Sequence, residues 1–152
     1  MDIKSGCGWP AAQLSNFAGN RFTLDGVQCN SMEGFLQSLK FKNPEMQIHV
    51  CALVGKSAKF KGKNKNWWRD QKLWWKGTEI DRHSVEYQKL LDRAFEAMFN
   101  QSESFRKALI ATQQATITHS IGKNDPSRTV LTQSEFCSRL LKLRDTHVSR
   151  NR

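Results

Sequence analysis

The chain has 152 residues, enough for one domain with a sizeable core, and its 38% hydrophobic and 25% charged residues are the balance of an ordinary soluble protein. No apolar run approaches the ~18 residues a membrane span needs. The opening "MDIKSGCGWPAAQLSNF" lacks the apolar stretch of a signal peptide, so a cytoplasmic location with no membrane partner is expected. A net charge of +10 points to phosphate-bearing partners, a nucleotide or a nucleic acid, without choosing between them.

In chain order, the first clear local signal is "RFTLDGVQC". Two β-prone runs flank Asp25-Gly26, a pair suited to a tight hairpin with positive φ. "SMEGFLQSLKF" follows as a helix capped by Ser31, with Met32, Phe35, Leu36 and Leu39 on one arc. Glu33, Gln37 and Lys40 fall on a second arc at i, i+4 and i+7. That row is either a solvated edge or the wall of a site. A partly desolvated carboxylate there can act as a base or stabilise positive charge, and a nearby lysine can hold a phosphate or attack a carbonyl.

"KNPEMQIHVCAL" predicts another helix, with Asn43 as cap and Pro44 at the first helical position. "KSAKFKGKNK" carries five lysines in ten residues and is expected to end in a loop, either a solvated mobile segment or an electrostatic arm toward phosphates. "NWWRDQKLWWKGTEIDRHS" holds Trp67, Trp68, Trp74 and Trp75 in short extended pieces that turn at Gly77. These rings either pack or stack on bases.

Ser84 starts a strong helix with Tyr87, Leu90, Leu91, Ala94, Phe95 and Met98 at helical spacing. "SESFRKALIAT" forms a second, with Phe105, Leu109 and Thr112 on one side. "ATITHS" is a short β-prone run and "IGKNDPSR" a loop. "TQSEFCSRLLKLR" opens with a capping box, Thr132 and Glu135, and turns Phe136, Leu140 and Leu141 inward. "DTHVSRNR", about residues 145–152, is a basic tail expected to fray. No repeat or interdomain linker interrupts the chain, so the prediction is a single domain over 1–152, α+β and mostly helical, with an early β-hairpin.

Cys7, Cys29, Cys51 and Cys137 are widely spread, with no C-x-x-C pair. A structural zinc is not expected, and the cysteines read as free, mostly packing thiols. GxGxxG, GxxxxGK[ST], GxSxG and HExxH are all absent. His49, His83 and His147 sit where surface or capping roles are usual. His119, before a glycine-containing loop, is better placed for chemistry.

An ordered series adds to this reading: "LSNF" at 14–17, "FTLDG" at 22–26, Ser31 and Glu33 as S-x-E, Gln37, and Lys40-Phe41. It resembles the opening of the NADAR superfamily, which includes the YbiA-like N-glycosidases. "LLDRAFEAMFNQSESFRKALIAT" and "EFCSRLLKLR" resemble its later helices with less specificity. The tryptophan-rich segment and compact length look like a bacteriophage branch. The resemblance implies a compact, largely helical α+β domain with a cleft, and no metal or cofactor. It implies cleavage of an N-glycosidic bond between a nucleobase-like group and a ribose phosphate or ADP-ribose, on a nucleotide or on ADP-ribosylated DNA or RNA, in the host cytoplasm. Carried residue by residue, it makes Glu33 and Lys40 catalytic and Asn16, Phe17 and Gln37 substrate-binding. His119 and Asn124, near the places where relatives carry an acid and a glycine-rich loop, complete the binding set. Two departures stand out. Relatives have His after the motif Glu, where this chain has Gly34. They also carry a D-x-x-W-G stretch before the last helix, where this chain has "THSIGKNDPSRTVL". Such a remodelled wall fits another substrate, or a phage binder that sequesters an ADP-ribose-derived nucleotide without turnover; a basic nucleic-acid-binding module is a further alternative.

Overall fold

Helices form where caps and apolar spacing agree. In the computed structural model, which describes residues 1–151, the elements run α1 (Ala11–Leu14), β1 (Phe22–Leu24), β2 (Val27–Cys29), α2 (Met32–Ser38), α3 (Pro44–Cys51) and α4 (Gly55–Gly62). A 3-10 turn (Trp67–Arg69) follows, then β3 (Lys72–Trp75), β4 (Thr78–Asp81), α5 (Val85–Gln101), α6 (Glu103–Ala111) and α7 (Gln133–Arg150). The architecture is α+β, mostly helical, with two separate antiparallel hairpins. In the first, Asp25 and Gly26 turn with φ of 50° and 79°, which pairs Leu24 with Val27 and Phe22 with Cys29. Side-chain caps start the helices: Ser31 Oγ accepts from the Gly34 N–H, Asn43 from Met46, and Ser84 from Tyr87. Thr132 and Glu135 form the full capping box.

The amphipathic stripe of α5 is the spine of one continuous core. Tyr87, Leu91, Ala94 and Phe95 are buried against Phe105 and Leu109 of α6, Phe136 and Leu140 of α7, and the apolar arc of α2. Leu141 lies at the edge of this core, partly buried. Thr112 is buried just past α6. Cys29 and Cys51 are buried free thiols, Cys137 is half-buried and Cys7 is exposed. No helix among the described residues is long and apolar enough to cross a membrane.

Three local expectations change. The lysine-rich segment does end in a turn past Gly62, but before it forms the helix α4, because Gly55, Ala58 and Gly62 supply a buried face narrow enough to lie against α2. "ATITHS" forms no strand. It makes one parallel bridge, Asp2 with Thr118, in which Ile3 N–H donates to Thr118 O at 2.8 Å. The basic tail stays helical to Arg150, since Arg144 is buried and bonds Thr112 Oγ1 and Ala115 O, and the His147 ring packs on Phe99. Arg152 lies outside the described residues.

Candidate active site

Helix α2 carries the polar row at the border of its buried face. Glu33 and Gln37 sit one turn apart within it, and Lys40 follows in the turn at its C-terminus. Gln37 Nε2 donates to Glu33 Oε1 at 2.9 Å, and Lys40 Nζ donates to Gly62 O at 3.4 Å. The Glu33 N–H is held by Asn16 O at 3.0 Å, which ties the "SNF" loop to the first turn of α2. Gln37 is only 7% exposed. It packs so tightly on Gly62 that a Cβ there would overlap the Gln37 amide oxygen. Glycine at 62 is therefore what lets α4 approach the row.

Gly34 explains the missing histidine. A Cβ at this position would lie 2.6, 2.9 and 3.0 Å from the carbonyl oxygens of Leu53, Cys51 and Val50. These are backbone atoms at the end of α3, where Ser31 Oγ also donates to Leu53 O. The space that a side chain would need is filled by the α3 exit.

Glu33, Gln37 and Lys40 line one cleft of about 330 Å³, together with Asn16 and Phe17. The opposite wall is the segment from His119 to Leu131, and Lys59 of α4 and Trp67 close the sides. Four cations border this space: Lys40, Lys59, Lys123 and Arg128. Glu33 is the one carboxylate lining it. Burial pushes the Glu33 carboxyl up from its ordinary value, against the opposing pull of the Gln37 hydrogen bond, Lys40, Lys59 and His119. Burial pushes the Lys40 ammonium down, reinforced by Lys123 and Lys59 and opposed by Glu33. Asn16 Oδ1 and Gln37 Oε1 are buried acceptors with no hydrogen-bond partner. An acceptor left so is costly unless a ligand donor or water meets it.

His119 is half-buried and lines the cleft. Its Nδ1 lies 2.8 Å from Ile3 O, and its ring stacks edge-on against Phe136. Asn124 is not brought to this cleft. It borders a separate groove beside Arg82, His83 and Glu135, and accepts from the Ser134 N–H at 3.4 Å. Of the tryptophans, Trp67 and Trp75 are buried, and Trp75 Nε1 donates to Asp25 Oδ2. Trp74 is half-buried and Trp68 exposed.

Sequence reasoning missed Lys123 and Arg128, and reached Lys59 only as one lysine of the 56–65 run, because their elements meet α2 only in three dimensions. It also missed the support behind them. The buried Arg82 guanidinium makes two bonds to the Glu135 carboxylate, at 2.7 and 3.1 Å, and Arg82 Nε donates to Thr129 O. That pair holds the rear wall in place. Its one sequence signal was Glu135, already identified as half of a capping box. Among the described residues, no three His, Cys, Asp or Glu side chains converge as a metal site would require.

The chain is 36% identical over 148 residues to a 17.1 kDa protein from the Gp30-rIII intergenic region of Enterobacteria phage T4, covering 96% of this chain and 97% of that one. Its fold is similar to the NMR structure of the E. coli protein YbiA, with a TM-score of 0.66 over 99% of this chain and 86% of that chain, at 16% identity. Residues 8–145 match the family described as Bacteriophage protein GP30.3, so the chain, whose fold is YbiA-like, belongs to that family.

Proposed function

We propose that the cleft cleaves an N-glycosidic bond, releasing a base from a nucleotide-like or ADP-ribosylated nucleobase substrate. The observation that supports this reading is a single enclosed carboxylate, Glu33, in a cleft bordered by Lys40, Lys59, Lys123 and Arg128. Cations of that number suit ribose phosphate or ADP-ribose, and the unpartnered Asn16 Oδ1 suits a sugar hydroxyl or an exocyclic amine. As the C1–N bond breaks, its electron pair leaves with the base, which takes up a proton from solvent, and C1 becomes oxocarbenium-like. Glu33 stabilises that cation and accepts the proton that water gives up on adding to C1. Lys40 neutralises phosphate, or, as the free amine, adds to the aldehyde of the ring-opened sugar and forms a Schiff base with loss of water. The reading places the protein in the host cytoplasm.

The test is incubation with ADP-ribosylated DNA, NAD-derived nucleotides and ribosylamino pyrimidines, read by mass spectrometry for released base. Glu33→Gln keeps the shape and removes the charge, so turnover should fall ~10²–10³-fold while affinity stays nearly intact. Unchanged turnover by that variant sinks the assignment. Borohydride should trap a sugar adduct on the wild type and not on Lys40→Ala if the Schiff base forms. One observation favours a second reading, a binder that sequesters such a nucleotide: the rear wall offers His119 and no second carboxylate. Tight ADP-ribose binding with no turnover of any candidate substrate would select it.

A further inference from the structure

The rear wall of the cleft holds an imidazole that is clamped from several sides. A parallel bridge joins Asp2 to Thr118, with Ile3 N–H donating to Thr118 O at 2.8 Å. The Asp2 carboxylate accepts from Thr118 Oγ1 at 3.1 Å, from Ser120 N–H at 2.8 Å and from Ser120 Oγ at 2.5 Å. Both chain neighbours of His119 are therefore held by one carboxylate. The ring itself lies edge-on to Phe136, with 5.0 Å between centroids. Past it the chain turns, and Gly122 N–H donates to His119 O at 3.0 Å. A Cβ at 122 would come within 2.6 Å of the ring's Cδ2, so glycine there leaves the imidazole its place.

That clamp decides which ring nitrogen carries the proton. His119 Nδ1 lies 2.8 Å from Ile3 O. A carbonyl only accepts, so Nδ1 must donate. In the neutral ring Nε2 then has the lone pair, and a second proton can add only there. Among the described residues Nε2 has no hydrogen-bond partner, and the ring lines the cleft. Glu33 lines the wall across from it, near enough that His119 is among the charges drawing its carboxyl down against burial. One carboxylate and one imidazole therefore face each other over the space where a glycosidic bond would lie.

We propose that His119 is the general acid of this cleft, protonated on Nε2 and handing that proton to the base as the C1–N bond breaks. The proposal rests on the N-glycosidic reading and deepens it: solvent remains the source of the proton, and His119 is its route. The electron pair of the C1–N bond goes to the base nitrogen, which gains the Nε2 proton and leaves neutral. The imidazole keeps its Nδ1–H on Ile3 O and takes a new Nε2 proton from solvent. Glu33 serves C1 and the incoming water from the other wall. Acid and base work is thus divided between two unlike groups, as it is between paired carboxylates in other glycosidases. Asp2 is a positioning residue, since it holds both neighbours of the imidazole.

The experiment compares leaving groups that differ in their need for a proton. A ribosylamino pyrimidine releases an amine and needs one. The nicotinamide of NAD leaves as a neutral pyridine and needs none. General acid catalysis commonly supplies ~10²–10⁴-fold, so His119→Gln should lower kcat on the ribosylamino pyrimidine by about that factor and on NAD by less than about tenfold, with KM moving little. Where wild type does not cleave NAD, ribosylamino pyrimidines of graded leaving-group basicity replace it, and the loss should grow with basicity. A loss that is equal across leaving groups makes His119 a packing residue and overturns the acid role; so does no loss at all, and in both cases the cleft reading stands. Wild type that cleaves NAD alone also overturns it, because no acid is then in use. Release of base from none of these substrates overturns the cleft reading and the acid role together. A measurement on the wild type needs no variant to fold: nitrogen-15 NMR should show the neutral His119 ring protonated on Nδ1, and a ring protonated on Nε2 instead would overturn the assignment.

Discussion

Replacing Gly34 by alanine tests the packing on which the site depends, and it tests a sign. Alanine favours a helix over glycine by ~1 kcal/mol, so propensity alone predicts stabilisation. Geometry predicts the reverse. The new Cβ would meet three backbone carbonyls, of Leu53, Cys51 and Val50, at 2.6–3.0 Å. Backbone oxygens at a helix exit cannot rotate aside as a side-chain tip can, so α2 must separate from α3. Overpacking of this kind costs ~1–3 kcal/mol, and three rigid contacts place it at the upper end. The net loss is about 2 kcal/mol. For a chain of this size that lowers Tm by about 4–8 °C in calorimetric or circular dichroism melts at neutral pH. A rise in Tm would refute the close approach. The same separation stretches the Ser31 Oγ bond to Leu53 O, and moves Glu33 and Gln37 with the helix. ADP-ribose affinity should fall alongside stability.

Three further outcomes follow from buried charge. Arg82→Ala leaves the Glu135 carboxylate without its buried partner and should cost ~3–5 kcal/mol in urea denaturation; a loss below ~1 kcal/mol would mean the pair does not hold the wall. Burial raises Glu135, but the Arg82 and Gln88 hydrogen bonds and the Thr132 N–H outweigh it, so its folded value is depressed. Its contribution is therefore present above the unfolded Glu value of ~4.3 and is lost as pH falls through the folded value. The wild type's stability advantage over Glu135→Gln should shrink toward acid, and an advantage that grows there reverses the sign. Glu33 is the opposite case. Burial raises its folded value, so wild-type stability declines as pH rises from the unfolded value toward the folded one. Glu33→Gln should thus melt higher than wild type at neutral pH, with the gap closing in acid, and equal melting at every pH would show the carboxylate is not desolvated.

Where a feature is encoded within a few neighbouring residues, the sequence displays it. The Asp25-Gly26 turn, the Ser31, Asn43 and Ser84 caps, and the α5 stripe are all of this kind, and each appears at its expected residues. Helix α4 was obscured because its exposed lysines dominate the composition, while its buried face is made only of Gly55, Ala58 and Gly62. Small residues at that spacing mark close helix approach, but they carry little hydropathy. The tail was misjudged for a related reason. Arg144 looks solvated by residue type, yet its guanidinium is inside, bonded to Thr112 and Ala115 across about 30 positions of chain. Asn124 was placed in the binding set by its position in the loop. The path of that loop is fixed by Arg82, far away in the chain, and it delivers Lys123 and Arg128 to the cleft in place of Asn124.

The net charge of +10 said only that phosphates are welcome somewhere. What gives that charge direction is its distribution. Arg82 and Arg144 are consumed inside the fold, and Arg93 and Lys107 pair with Asp25 and Glu103 at the surface. The cations beside Glu33 come instead from the end of α2, α4 and the rear-wall loop, and among the cleft-lining residues Glu33 is their sole counter-charge. A site with several cations and one enclosed carboxylate attracts an anion and still keeps a group that can stabilise a positive carbon. A uniformly basic surface would do only the first. The polar row of α2 is therefore more than a solvated edge because of what α4 and the 119–131 segment place across from it, and those elements reach it through Gly62 and through the Arg82–Glu135 pair.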